Sequence, residues 1–189
     1  VDVYAFVVAA LLVTMGTVGD RIGRRRLLLW GAFFFGVASV AAAFSHTPEM
    51  LIAARAVQGA AGATLMPSTL SLIRAMFNNA AERARAVSLW VAVYSVGAAV
   101  GPLLGGLLIG MLGWEWIFFI NVPIGVVGYI AAARLVPDLE KNRHRFDWLG
   151  VVLSGAGLFC IVFSLQEATS HDWGVIYGPI SVTSLLIPG

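Results

Sequence analysis

The residues with the greatest chemical potential stand inside apolar sequence. Arg55, in "LIAARAVQGAAGATLMP", lies several residues into a hydrophobic run, where a charge exposed to lipid would cost at least ~2.5 kcal/mol. Two structural readings are open: a side chain that snorkels to the headgroups, or one paired with an acid to hold helices together. The functional reading is a charge that faces a central cavity and takes part in proton or substrate coupling. Gln58 favours the last, because i and i+3 share a helical face. The same run continues with Gly59, Gly62, Ala63 and Pro67, small residues that let a neighbouring helix approach and a proline that can bend the span.

A second stretch, "GTVGDRIGRRRLLLWG", concentrates charge between two apolar runs. Gly16, Gly19 and Gly23 do not form GxGxxG, and no GxxxxGK[ST] phosphate loop is present. Arg24 to Arg26 run directly into Leu27 to Trp30, so the polar surroundings of a nucleic-acid patch are missing and no nucleic-acid partner is expected. What remains is a short turn at a membrane surface. Gly23 permits a sharp bend, and Asp20 can pair with a nearby arginine or a helix N-terminus.

A third stretch, "SVGAAVGPLLGGLLIG", repeats glycine at four-residue spacing: Gly97, Gly101 and Gly105, then Gly106 and Gly110. Such strips favour tight helix contact, and Pro102 adds an expected kink in mid-membrane, where an alternating-access protein would bend. His46, His144 and His171 fall in separate loops and form no close ligand cluster. The single cysteine, Cys160, reads as a buried thiol. No nucleophile has a convincing base partner, Asp147 reads as a helix cap, and the expectation is a non-enzyme without metal or cofactor.

The elements that position these residues follow from composition. Of 189 residues, 59% are hydrophobic and 12% charged, with a mean hydropathy of +0.88. Soluble domains carry about 45–50% apolar and about 25% charged residues, so a bilayer is the expected solvent. Runs long enough to cross it, about 20 residues each, are read at Val3–Gly19, Leu27–Phe44, Met50–Phe77, Val87–Leu112, Ile117–Val136 and Trp148–Leu165. A further truncated run starts at Val175. The beginning "VDVYAFVV" and the apolar final segment suggest an internal piece of a longer protein.

Alternation of sides makes a test of orientation. The loops at Asp20–Arg26, Asn78–Ala86 and Pro137–Asp147, with their flanks, hold Arg21, Arg24, Arg25, Arg26, Arg74, Arg83, Arg85, Arg134, Lys141, Arg143 and Arg145. The loops at Ser45–Glu49, Gly113–Trp116 and Gln166–Gly174 hold no Lys or Arg. By the positive-inside rule the first basic loop is cytoplasmic and the chain starts on the external side. Trp114, Trp116, Trp148 and Trp173 sit at expected span ends and read as headgroup anchors. The polar stretch after Val136 divides the chain into 1–136 and 137–189.

On these residues the chain resembles the major facilitator superfamily, in its fourteen-helix drug:proton antiporter branch. "GTVGDRIGRRR" resembles the loop signature between the second and third helices, through Gly16, Asp20, Arg21, Gly23, Arg24 and Arg25. "RAVQGAAGA" resembles the fourth-helix signature through Arg55, Gln58 and Gly59, and "GAAVGPLLGG" the fifth-helix antiporter signature through Gly97, Gly101, Pro102, Gly105 and Gly106. "GWEWIFFINVPIG" looks like the drug-exporter branch, with Glu115 where that branch usually has a basic residue. "DVYAF" resembles the start of the second helix, with Asp2 and Tyr4 on matching positions.

The resemblance implies an all-α, polytopic bundle with a partial major facilitator fold, covering family helices two to eight. Residues 1–136 would be the N-terminal half without its first helix, and 137–189 a cytoplasmic linker with additional central helices, the second truncated. It implies export of hydrophobic or cationic compounds in exchange for protons across a bacterial inner membrane. Asp20 and the following arginines would form a cytoplasmic gating latch. Asp2 would be the coupling carboxylate, with Arg55 and Gln58 beside it. The alternative is a non-transporting membrane scaffold or receptor, which would keep the glycine strips without needing Arg55.

Overall fold

The computed structural model describes residues 3–138, 148–167, 175–177 and 180–181. Among the described residues seven helices run in chain order: α1 (Val3–Ile22), α2 (Arg24–Ala43), α3 (Pro48–Met76), α4 (Ala80–Met111), α5 (Trp116–Phe119), α6 (Asn121–Leu135) and α7 (Trp148–Glu167). Strands β1 (Val175–Tyr177) and β2 (Ile180–Ser181) follow as an antiparallel pair, with Val175 opposite Ser181 and Tyr177 opposite Ile180.

Local sequence accounts for the breaks. The chain turns from α1 into α2 at Gly23 alone, whose φ of 103° is reached readily only without a Cβ. The expected loop Asp20–Arg26 is therefore a one-residue turn, with Asp20 and Arg21 still helical. Thr47 caps α3 by accepting the Met50 N–H at 3.3 Å, with Pro48 in the first turn, where its missing N–H costs nothing. Asn79 Oδ1 accepts the Ala81 N–H at 2.9 Å, so α4 starts at Ala80 rather than at Val87 as expected, and "AAERARA" is helical. The span expected at Ile117–Val136 is split into α5 and α6, because Pro123 has no N–H to give the carbonyl four residues back. The run from Val175 begins extended rather than helical, in keeping with the β preference of Val, Ile and Tyr.

Helix α3 is the centre of the bundle. It packs against α1 on one side and α2 on the other; α1 also meets α7, and α2 meets α5 and α6. Small residues make the close approach. A Cβ added at Gly59 would lie 2.8 Å from the Tyr4 carbonyl oxygen and 3.1 Å from Val7 Cβ, so only glycine lets α1 cross there. Ala38 and Ala42 of α2 and Ala61 and Ala63 of α3 are buried as well. Helix α4 meets mainly its chain neighbours α3 and α5, and none of its residues is buried.

Solvent-facing composition shows the medium. Among the described residues, Val3–Ile22, Arg24–Ala43, Ala80–Met111 and Trp116–Leu135 are long and apolar enough to cross a membrane. On α4, Leu89, Val93, Leu103 and Met111 are each at least 65% exposed. Apolar surface of this extent suits hydrocarbon, where helices satisfy their own backbone groups. The architecture is an all-α bundle of membrane-spanning helices.

Candidate functional site

Arg55 sits where α1, α3 and α5 converge. Its guanidinium lies over the Tyr4 ring at 4.7 Å and the Phe118 ring at 5.6 Å from the centroids. Its Nη1 donates to Gln58 Oε1 at 3.0 Å, and Gln58 Nε2 donates to Ser39 Oγ at 2.8 Å, carrying the network into α2. Ser39 in turn donates to the Phe35 carbonyl at 2.8 Å. Gln58 is 1% exposed and Ser39 is fully buried, so both polar groups depend on these partners.

The i, i+3 relation between Arg55 and Gln58 thus places them in direct contact. The half-buried Arg55 guanidinium is engaged by Tyr4, Phe118 and Gln58. Among the described residues no carboxylate pairs with Arg55, so the acid-paired alternative is not seen there. Two aromatic faces and an amide oxygen hold the cation instead, an arrangement worth about 0.5–2 kcal/mol per cation–π contact. Asp2, the expected coupling carboxylate, lies outside the described residues, as do His144, His171, Lys141, Arg143, Arg145, Asp147 and Trp173.

A second charged cluster surrounds Gly23. Arg24 meets one carboxylate oxygen of Asp20, Nε at 2.8 Å and Nη2 at 2.6 Å. Each charge stands at the unfavourable end of its helix: Asp20 in the last turn of α1, Arg24 in the first turn of α2, which has no acid. Pairing offsets both mismatches. Arg25 reaches instead to α6, donating from Nη2 to the Ala133 carbonyl at 2.6 Å and from Nη1 to Asp138 at 3.3 Å. It caps a helix C-terminus, where the dipole favours a cation. Arg21 is exposed and lies at the end of α1, while Gly16 packs towards Pro67 of α3, 3.9 Å from the position a Cβ would take.

The α4 glycines behave differently from those of α3. A Cβ at Gly97, Gly101, Gly105, Gly106 or Gly110 would meet nothing within 4 Å. The tight contact expected from their spacing is not made with any described helix, and α4 continues through Pro102 without a break. Sequence reasoning missed Ser39, Phe118 and Asp138 as partners. Ser39 carries the one available signal, a hydroxyl in an otherwise apolar run; Phe118 carries none, since its ring is one of many. Among the described residues no group of three metal-ligating side chains occurs.

Residues 1–186 match the Major Facilitator Superfamily. The chain is 48% identical over 189 residues to an uncharacterized MFS-type transporter of Mycobacterium tuberculosis, covering 97% of this chain and 32% of that protein. It is 46% identical to the multidrug efflux pump LfrA of Mycolicibacterium smegmatis, covering 91% of this chain and 34% of the pump. It is 47% identical to the methyl viologen resistance protein SmvA of Salmonella typhimurium, covering 89% and 34%. The chain therefore spans about a third of the length of these relatives.

Proposed function

The chain belongs to the major facilitator superfamily, a family of carriers rather than enzymes, and we propose that it is part of a proton-driven exporter of hydrophobic or cationic compounds. The similarity to LfrA and SmvA supports the substrate class. The observation that carries the proposal is Arg55, a cation held among membrane helices by Tyr4, Phe118 and Gln58 with no acid partner among the described residues. In a low-dielectric cavity such a fixed charge attracts a carboxylate and repels a cation. A proton and a cationic substrate then become alternative ways of neutralising one carboxylate, which is the linkage an antiporter needs. We assign that carboxylate to Asp2, two positions before Tyr4 in the sequence.

The Asp20–Arg24 pair, with Arg21 and Arg25, serves in this proposal as a cytoplasmic latch whose breaking accompanies the change of state. The α4 segment Gly97–Gly106, with Pro102, is the antiporter helix that flexes with it. Residues 1–136 belong to the N-terminal half of a fourteen-helix protein of the bacterial inner membrane, and 137–189 to the linker and inserted helices. Orientation follows the basic loops, with the Gly23 turn on the cytoplasmic side.

Reconstitution of the full-length protein in liposomes tests the reading. A lipophilic cation should move against an imposed pH gradient and stop when the gradient is collapsed. Flux that ignores the gradient defeats antiport, and absence of flux from folded protein favours the scaffold or receptor.

A further inference from the structure

Helices α2 and α6 form a concave surface that does not include Arg55. A groove of about 270 Å3 runs between these helices, lined by Gly36, Val37, Val40, Gly125, Val126 and Tyr129 among others, all apolar apart from the tyrosine hydroxyl. Its floor is open because a Cβ at Gly36 or Gly125 would meet nothing within 4 Å. At the end nearest the Gly23 turn it continues through Phe33 and Tyr129 into a recess of about 390 Å3 that holds Trp30 and Arg26. The apolar length from Trp30 to Val40 is about 15 Å at 1.5 Å per helical residue. That is the depth of one leaflet, half of a hydrocarbon core about 30 Å thick.

The charge at the mouth is specific to one arginine. Arg24 is occupied by Asp20, and Arg25 by Ala133 and Asp138. Arg26 is exposed and has no hydrogen-bonding or ionic partner among the described residues. A free guanidinium at the headgroup level, above an acyl-length groove rimmed by Trp30 and Tyr129, complements a phosphate joined to a hydrocarbon chain.

We infer that the α2–α6 groove binds an anionic phospholipid, with its phosphate on Arg26 and one acyl chain along Gly36 and Gly125. Trp30, 58% exposed at the mouth, reports occupancy. The full-length protein is placed in vesicles containing chain-brominated phosphatidylglycerol or chain-brominated phosphatidylcholine, and Trp30 quenching is obtained by subtracting a Trp30→Phe variant. Phosphatidylglycerol should be preferred about fivefold, the factor for one arginine at an anionic surface. Arg26→Gln should abolish the preference. Gly125→Leu, which fills the groove and raises helix propensity, should abolish it with Arg26 intact. Equal quenching by both lipids in the unsubstituted protein would show ordinary bulk lipid and overturn the inference. Trp30 unquenched by either would show that another protein segment covers the groove and overturn it equally, as would a preference that survives either substitution.

Discussion

Gln58→Glu separates the charge of the Arg55 site from its packing. The side chain is nearly isosteric: one carboxylate oxygen takes the place of the amide oxygen 3.0 Å from Arg55 Nη1, and the other, which has no hydrogen to give, accepts from Ser39 once that hydroxyl turns from the Phe35 carbonyl. The attraction gained is about 4 kcal/mol for unit charges 4 Å apart at an effective dielectric of about 20. The cost of burying a carboxylate is also several kcal/mol, so the unfolding free energy should move by no more than ~2 kcal/mol. The electrostatic consequence is larger. A group about 7 Å away would lose about 2.4 kcal/mol of interaction with the neutralised arginine, a factor on the order of 50. Proton-coupled uptake into inverted liposomes should therefore fall on the order of 50-fold, while the protein still unfolds cooperatively in detergent. Gln58→Leu should invert the pattern. It keeps the positive charge but removes the bonds to Arg55 and Ser39, costing about 1.5–3 kcal/mol for the charged bond and about 0.6 for the neutral one. If Gln58→Glu retained coupled transport while folded, the role given to the charge of Arg55 would be refuted.

Other predictions follow from neighbouring contacts. Gly31→Val would drive a side chain into the Thr64 hydroxyl and against the Ala61 carbonyl, so α2 and α3 should separate, at a cost of about 1–3 kcal/mol in thermal unfolding; Gly36→Ala, with open space above it, should be neutral or slightly stabilising. Arg25→Gln should loosen the end of α6 by about 1.5–3 kcal/mol, seen as faster amide exchange at residues 130–135. Asp138→Asn should cost under about 1 kcal/mol there, since that carboxylate is 67% exposed and the pair is long. Asp20→Asn should slow transport without altering membrane orientation, as measured by initial rates beside labelling of engineered loop cysteines; an unchanged rate would return the Asp20–Arg24 pair to a charged turn.

Much of the fold was legible because lipid imposes a simple rule on sequence: apolar runs near helix length, separated by charges. The expected spans from Val3 to Leu165 fall on helices α1 to α7, with α5 and α6 sharing one, and among the described residues α1, α2, α4 and the α5–α6 segment are long and apolar enough to cross a bilayer. The boundaries shifted where local chemistry extends helices into polar sequence, as the Asn79 cap does for α4. The glycine patterns were less informative. Spacing identifies a smooth strip but not whether a helix covers it, so the strip on α4 is open while Gly59, and Gly155 against the Ala10 carbonyl, make the close approaches. The site was half legible. Arg55 and Gln58 share one helix and obey its period, whereas Ser39 and Phe118 come from other elements and no period relates them.

The manner in which Arg55 is held bears on why a transporter would carry it. A buried ion pair broken by loss of one partner costs about 3–5 kcal/mol, because a charge is left uncompensated. An arginine locked to an acid would therefore resist a cycle in which its surroundings must change. Cation–π contacts of about 0.5–2 kcal/mol are weaker individually and less directional, and the Gln58 bond moves with Arg55 because both stand on α3. Tyr4 belongs to α1 and Phe118 to α5, so a shift of either helix against α3 changes one face of the cage while the amide keeps the guanidinium satisfied. The local bond is thus the permanent one and the interhelical contacts are the exchangeable ones. Helix motion can then alter the surroundings of the charge without leaving it unsolvated.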